Sequence, residues 1–110
     1  MTSVKFLADK NGLYGFEISG HSSKSSDDTN GKIVCSAVSS AAYMAANTIT
    51  EIIGDKAEAE VSDAKMNFYV LTPSDNAKQV LKGLELHLTE LSEQYSNNIE
   101  IYGGAKNVKD

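Results

Sequence analysis

The apolar stripe between positions 77 and 95 constrains the fold of this chain more than any other feature of its sequence. Its residues recur at steps of four and three, as on one face of an α-helix: Ala77, Leu81, Leu84, Leu88, Leu91 and Tyr95. Ser74, Asp75 and Asn76 precede the stripe and are residue types that cap helix N-termini. Because the stripe lasts less than three heptads, we predict a helix that packs on a core, not a coiled coil.

A second helical pattern covers residues 33–53. Its apolar side carries Val34, Val38, Ala41, Ala45, Ile49 and Ile52. Its polar side carries Ser36, Ser40, Tyr43, Asn47 and Glu51. Gly54 follows, and glycine commonly ends helices. Many alanines and serines make this helix thin, so we expect it to lie close to a sheet or to another subunit.

Five segments have the composition and the alternation of β-strands: residues 4–8, 14–19, 57–62, 65–71 and 99–102. Asn11-Gly12 separates the first two segments and favours a tight hairpin. In the second segment the alternation predicts that Tyr14, Phe16 and Ile18 share one face. The third and fourth segments are predicted to form another antiparallel pair across Asp63-Ala64.

The order of these elements, ββαββαβ, indicates a single α+β domain over residues 1–110. We predict a two-layer sandwich in which two helices cover one face of about five mainly antiparallel strands. Phe6, Leu7, Tyr69 and Leu71 place apolar groups on both strand faces. We therefore expect part of the uncovered face to be buried in a homodimer.

Composition argues against several classes of protein. Fifteen acidic residues stand against ten lysines, with no arginine, so we expect no nucleic-acid-binding surface. We expect no membrane association, because no continuous apolar run approaches spanning length, and the N-terminus lacks a signal-peptide pattern. One cysteine and two histidines give no usual zinc spacing, and no glycine-rich phosphate loop precedes a helix. We therefore predict no metal and no other cofactor, and a lone cysteine suits the cytoplasm.

The residue types that favour nucleophilic chemistry lie in the first third of the chain. Gly20-His21 ends a predicted strand, and Cys35 opens a helical pattern. The dipole at a helix N-terminus and a nearby histidine both favour a thiolate. A thiolate beside a base is the minimum equipment of a cysteine nucleophile. The spacing alone leaves open an inert buried thiol and a histidine held by an ordinary loop hydrogen bond.

These residues resemble the signature of the ribosomal-processing cysteine proteases of bacteria, a Gly-His pair followed by a loop and an Ile-Val-Cys-Ala-Ala-Val-Ser segment. Gly20-His21 matches the pair, and the second segment is matched by Ile33, Val34, Cys35, Ala37, Val38 and Ser39. Ser36 replaces an alanine, and Lys32 stands where the family usually has aspartate. The resemblance implies an α+β fold, a homodimer and removal of the short N-terminal extension of a large-subunit ribosomal protein precursor.

The chemistry expected from this resemblance is peptide hydrolysis by a His21/Cys35 dyad. His21 would take the thiol proton, and the sulfur of Cys35 would attack the peptide carbonyl. Backbone N–H groups around Cys35 and Ser36 are the expected oxyanion donors if the helix starts there. Ser39 follows one turn later on the same face and is a candidate supporting residue.

The segment between His21 and Cys35 is predicted to form a mobile loop that contacts substrate, because residues 22–32 contain no apolar side chain. The candidate contact residues are Ser22, Asp27, Asp28, Gly31 and Lys32. Asp27 or Asp28 could also orient His21. Two other classes stay open. One is a binding module of the same fold that has lost catalysis, for which Lys32 is the discriminating feature, and the other is a regulatory dimer in which Cys35 is a redox-sensing thiol.

Overall fold

The computed structural model describes residues 1–20 and 29–103 and contains the predicted elements in the predicted order. The strands are β1 (Thr2–Asp9), β2 (Gly12–Ser19), β3 (Ala57–Ser62), β4 (Lys65–Val70) and β5 (Ile99–Gly103). The helices are α1 (Thr29–Asn47), which continues as a π-helical segment (Thr48–Ile53), and α2 (Asp75–Gln94). The predicted α+β architecture is therefore confirmed.

The five strands form one sheet in the order β3-β4-β2-β1-β5. Neighbouring strands are antiparallel except β1 and β5, which run parallel, so the sheet is mixed. Three aromatic rings connect the central strands inside the core. The ring centroid of Phe16 lies 6.4 Å from that of Phe6 and 5.4 Å from that of Phe68.

A bulge in the first hairpin changes which side chains of β2 reach the core. Leu7 pairs with Gly15 but Ala8 pairs with Leu13, which leaves Tyr14 as the extra residue of the bulge. Leu13 is consequently buried, whereas Tyr14 is only half-buried. The predicted alternation, which placed Tyr14 on the core face of β2, is wrong because a bulge breaks the two-residue period.

The helix α2 begins and packs as its apolar stripe predicts. The hydroxyl of Ser74 accepts a hydrogen bond of 3.1 Å from the Ala77 N–H and caps the helix. The stripe is buried from Ala77 to Leu88, and α2 lies over β2 and β5. The helix α1 packs beside α2. Because the core-facing side chains of β4 are also buried, α1 must cover the β4 side of the sheet.

The helix α1 begins at Thr29, four residues before the predicted start at Ile33. Gly31 is buried and stands three residues before the buried Val34, on the core side of the helix. Glycine contributes no apolar signal to the pattern, so this first turn was missed. The prediction of a loop over residues 22–32 is therefore wrong for residues 29–32.

The last turns of the long helix are π-helical, and this changes which isoleucine reaches the core. The hydroxyls of Thr48 and Thr50 donate to the carbonyls four residues earlier, at 2.7 and 3.0 Å. Such bonds compete with the regular helical ladder, and the wider π turn rotates the residues that follow. Ile49 is fully buried, but Ile52 is 80% exposed and Ile53 is half-buried. The predicted burial of Ile52 is therefore wrong.

The segment Thr29–Ile53 is long and apolar enough, by length and composition alone, to cross a membrane. This qualifies the expectation from the sequence, which considered only continuous apolar runs. The core helix of a soluble domain passes the same test, and Val34, Val38, Ala42 and Ile49 of this segment are buried in the core. The segment is weak evidence for a membrane, and the absence of membrane association stays a prediction.

The face of the sheet away from the helices, here called the open face, is largely polar. Lys5 and Glu17 lie on it, together with the half-buried Leu7 and Tyr69. Leu71, which was also expected in β4, follows the end of that strand and is 57% exposed. The open face therefore gives little support to a homodimer formed by burying it.

Candidate active site

Gly20 ends β2 in a conformation that glycine adopts without strain. Its φ is +86°, and a Cβ at this position would lie 2.5 Å from the carbonyl oxygen of Met1. The Gly20 N–H donates a hydrogen bond of 2.9 Å to the Ala64 carbonyl, in the turn between β3 and β4. The chain therefore leaves β2, one residue before His21, at the end of the sheet where β3 and β4 meet.

Cys35 is the seventh residue of α1, in its second turn. Its free thiol is half-buried. Unpaired N–H groups and most of the dipole effect belong to the first turn of a helix. The sequence predicted Cys35 at or near the helix N-terminus, but α1 begins six residues earlier, at Thr29, so Cys35 lies beyond the first turn.

The side chain of Cys35 lies on the flank of α1 that faces away from α2. The opposite flank, with Ala37, Ala41 and Met44, lines a groove between the two helices. Because helical residues three and four apart share a face, Lys32 and Ser39 lie one turn to either side of Cys35. We call this surface, formed by Lys32, Cys35 and Ser39, the Cys35 flank.

The longer helix also changes the expected oxyanion donors. Inside an α-helix each N–H donates to the carbonyl four residues earlier, and the N–H groups of Cys35 and Ser36 now fall in this interior. Their predicted oxyanion role assumed a helix start near Ile33 and has no support in this conformation. The Ser36 and Ser39 side chains are exposed.

Four predicted site residues lie outside the described residues: His21, Ser22, Asp27 and Asp28. Their catalytic and substrate-contacting roles stay predictions. Gly31 and Lys32, the other two predicted loop residues, belong to the first turn of α1, with Gly31 buried and Lys32 exposed. The described part of the chain therefore brings Lys32, Cys35 and Ser39 together on one flank.

A groove lies between α1 and α2, away from the Cys35 flank. It has a volume of about 700 Å³ and a mainly apolar lining that includes Met44, Leu84 and His87. Cys35 is not among the lining residues, so the groove is not the site of thiol chemistry. Among residues 1–20 and 29–103, no cluster of three or more His, Cys, Asp or Glu side chains could hold a metal ion.

A hydrogen-bonded pair on the open face was not found from the sequence. The hydroxyl of Tyr69 donates to a carboxylate oxygen of Glu17 at 2.7 Å. This bond, followed by burial and the negative charge of Glu17, raises the pKa of Tyr69 to about 12. Tyr69 pairs with Gly15, so Glu17 is its diagonal neighbour. Knowledge of the β2–β4 register would have revealed this pair.

Comparison with known proteins identifies the family. The family model of the cysteine protease Prp matches residues 1–100. The fold is similar to that of the essential ribosomal processing protease Prp from S. aureus in complex with a covalently linked product peptide, with a TM-score of 0.82 at 18% identity. That alignment covers 94% of this chain and 99% of the S. aureus chain.

Two further structures show the same fold. S. aureus Prp in complex with a substrate peptide gives a TM-score of 0.83 at 16% identity, covering 94% of this chain and 99% of that chain. SMU.848 from Streptococcus mutans gives a TM-score of 0.80 at 19% identity, and the alignment covers 94% of this chain and 93% of that chain. No curated protein sequence matches the chain. The family model covers nearly the whole described domain, including Cys35 and its flank, so the chain belongs to the Prp family and is a cysteine protease.

Proposed function

We propose that this protein removes the short N-terminal extension of a large-subunit ribosomal protein precursor, with Cys35 as nucleophile and His21 as general base. The single cysteine carries the proposal. A cysteine protease uses a thiolate to attack the peptide carbonyl, and Cys35 is the only thiol in the sequence. The structural similarity to S. aureus Prp, a ribosomal processing protease, supports the substrate class.

The choice of His21 as the base follows from the positions of the two histidines. His87 lines the groove between α1 and α2, on the opposite side of α1 from the Cys35 flank. His21 directly follows Gly20 in the sequence, and Gly20 lies at the end of the sheet where β3 and β4 meet. The long helix ends at Ile53, beside the start of β3 and the end of β4, where the Leu71 N–H donates to the Lys56 carbonyl. Its second turn, with Cys35, therefore lies toward the other end of these strands, where β3 and β4 meet.

In the proposed reaction, the His21 imidazole takes the thiol proton and the Cys35 sulfur attacks the scissile carbonyl carbon. The carbon–nitrogen bond then breaks, and the leaving amine takes the proton from His21. Water, deprotonated by the same imidazole, releases the extension from the thioester.

The charge of the protein suits a basic substrate. The chain has a formal net charge of −5, and opposite charges on enzyme and substrate accelerate their encounter. Ribosomal proteins are generally basic. We place this activity in the cytoplasm, where the substrate class is made and where an unpaired thiol remains reduced.

We also propose that the protein acts as a homodimer. Several exposed apolar side chains lie on the helical layer. Tyr43 and Met44 on α1 are 45% and 64% exposed, and Leu86 on α2 is 61% exposed. Apolar groups concentrated on one surface are typical of a protein contact. Sedimentation equilibrium at micromolar concentration is expected to give twice the chain mass, and a monomer mass would contradict a stable dimer.

Incubation with the organism's own extended ribosomal precursor, followed by mass spectrometry, tests the proposed activity. The wild-type protein is expected to release the extension, and Cys35→Ala and His21→Ala are expected to lose most activity. His87→Ala is the matched histidine control and is expected to retain it. Equal losses from both histidine variants would contradict the dyad. An intact precursor after incubation with folded wild-type protein would contradict the substrate assignment.

A further inference from the structure

β3 is an edge strand without the bulge, proline or lysine that often protects a sheet edge, and its charged side chains are Glu58 and Glu60. It pairs only with β4, at the end of the order β3-β4-β2-β1-β5. Its register is regular from Ala57↔Val70 to Ser62↔Lys65, and its sequence contains no proline and no lysine. Bulges, prolines and lysines are common devices that prevent another chain from pairing with an edge. All residues of β3 after Ala57 are exposed.

The outward backbone groups of β3 follow from its hydrogen bonds with β4. The Leu71 N–H donates to the Lys56 carbonyl at 3.0 Å, which makes these two residues a hydrogen-bonded pair of the ladder. Such pairs recur at every second residue of an antiparallel ladder. The N–H and C=O groups of Ala57, Ala59 and Val61 therefore point away from β4, toward the free edge.

This free edge lies on the same side of the fold as the Cys35 flank. α2 lies over β2 and β5, and α1 packs beside α2. The buried side chains of β4 indicate that α1 covers the β4 side. The flank of α1 that faces away from α2 therefore faces β3. The helices leave Val61 of β3 55% exposed, and the β3–β4 turn after it accepts the Gly20 N–H through Ala64. An extended segment along β3 would thus run toward both Cys35 and the residue before His21.

The charge on β3 indicates the chemistry of the occupant. Glu58 and Glu60 are exposed on the open-face side of the strand, and no lysine of the described residues forms an ion pair with either carboxylate within 4.0 Å. A second copy of β3 would bring four glutamates together, and like charges across neighbouring strands destabilise pairing. A segment with basic side chains at alternate positions complements the two carboxylates.

We propose that the substrate of this protease binds as an added β-strand on the outer edge of β3. The segment is an extended basic peptide whose backbone pairs with Ala57, Ala59 and Val61 and whose basic side chains lie beside Glu58 and Glu60. Backbone pairing at a sheet edge provides affinity, and alternate side chains provide specificity. The inference rests on the proposed proteolytic function, because it specifies how the substrate of that reaction is held.

A scan of backbone N-methylation in a substrate peptide tests strand addition without changing the protein. A labelled peptide that spans the cleavage site of the ribosomal precursor is titrated into Cys35→Ala protein, and its Kd is read from fluorescence anisotropy. Removing one backbone hydrogen bond is expected to raise the Kd about tenfold. Methylation at alternate residues is expected to have this effect, and methylation at the intervening residues to change the Kd less than about twofold. A Kd pattern without a two-residue period would overturn the proposal.

Variants of β3 test the same contact from the protein side. Ala59→Pro removes an outward N–H while leaving the bonds to β4, and is expected to raise the peptide Kd about tenfold. In the same Cys35→Ala background, Glu60→Lys is expected to weaken peptide binding several-fold. Glu90→Lys makes the matched change at an exposed position of α2 and is expected to leave peptide binding unchanged. Unchanged binding in both β3 variants would overturn the edge site.

The two proposals fail in different ways. Alternating N-methyl effects on binding, without cleavage of the unmodified peptide by wild-type protein, would contradict the proteolytic function and support the β3 site. Cleavage by wild-type protein, together with a Kd pattern that does not alternate along the N-methylated peptides, would contradict only the β3 site. A third outcome is that Ala59→Pro dissociates a dimer but leaves the peptide affinity unchanged. This result would assign the edge to a second copy of the chain and overturn substrate binding there.

Discussion

The conformation of Gly20 connects the stability of the fold to the geometry of the site. Replacing Gly20 with alanine forces a side chain into the left-handed region at φ +86°, which costs about 1 to 2 kcal/mol. The new Cβ would also lie 2.5 Å from the Met1 carbonyl oxygen, which is much shorter than the ordinary contact distance of 3.4–4 Å. Relieving this contact requires a backbone shift, with a further cost of about 1 to 3 kcal/mol. We therefore expect Gly20→Ala to be destabilised by about 2 to 5 kcal/mol.

Urea denaturation followed by circular dichroism measures this loss, and two other glycines separate its causes. Gly54 has φ +91°, but no atom lies within 4 Å of the position that a Cβ would occupy, so Gly54→Ala should lose only the conformational part, about 1 to 2 kcal/mol. Gly83 lies within α2 with open space around it, so Gly83→Ala should gain up to about 1 kcal/mol. Equal losses at Gly20 and Gly54 would refute the role of the Met1 contact.

The same variants separate stability from function. The backbone shift at Gly20 displaces the chain one residue before His21, so Gly20→Ala is expected to lower kcat/KM for precursor cleavage more than tenfold, measured where the protein remains folded. Gly54 ends the π-helical segment, at the far end of the long helix from Cys35. Gly54→Ala is therefore expected to retain kcat/KM within about twofold. Retained cleavage by folded Gly20→Ala would refute the link between Gly20 and the site.

Three further perturbations test separate parts of the structure. Ile49→Ala is expected to lose about 2 to 5 kcal/mol of unfolding free energy and Ile52→Ala less than about 0.5, because only Ile49 is buried. In a phenolate absorbance titration, Tyr69→Phe is expected to remove the tyrosine that titrates near pH 12. The raised pKa means that the Glu17 bond stabilises the fold fully below about pH 10 and is lost as the pH rises toward 12. Lys32→Asp is expected to slow alkylation of Cys35 by iodoacetamide at neutral pH, because it replaces a cation one turn from the thiol with an anion.

Each of these predictions has a control and a contradicting result. Similar losses at Ile49 and Ile52 would contradict the rotation introduced by the π-helical segment. A tyrosine lost from the titration near pH 10, and not near pH 12, in Tyr69→Phe protein would contradict the Glu17 hydrogen bond. Lys82→Asp, on the exposed side of α2, makes the same change of charge as Lys32→Asp. Equal alkylation rates in these two variants would show that Lys32 has no specific effect on the thiol.

The sequence predicted those parts of the fold in which one periodicity persists without interruption. The stripe from Ala77 to Tyr95 and the cap at Ser74 appear in the structure as expected. The second hairpin also has its predicted strands, because alternation in β4 continues unbroken through Phe68. In these segments local preference and tertiary packing favour the same structure, so the pattern alone was sufficient.

The errors occurred where one residue changes the period. The bulge at Tyr14 shifts the alternation of β2, and the π-helical segment rotates Ile52 away from the core. Neither device has a distinctive apolar signal, because both depend on backbone geometry. Gly31 is buried but carries no side chain for a periodicity argument to detect, so the first turn of α1 was missed.

The candidate site was predicted from residue types and family resemblance, and its electrostatics required the structure. Cys35 was predicted to be the nucleophile, but its expected activation by the helix N-terminus depended on a start that α1 does not have. The outer edge of β3 was not predicted as a functional surface, because strand order and hydrogen-bond direction cannot be read from single segments.

A rapid-quench experiment tests the central claim, that Cys35 is the nucleophile of a ribosomal-precursor protease. The protein is mixed with its extended precursor, quenched in acid within the first turnover and examined by intact-protein mass spectrometry. We expect a transient adduct with the mass of the extension acylated onto Cys35, and no adduct on Cys35→Ala protein. Cleavage of the precursor by Cys35→Ala protein, or an adduct located on another residue, would contradict the claim.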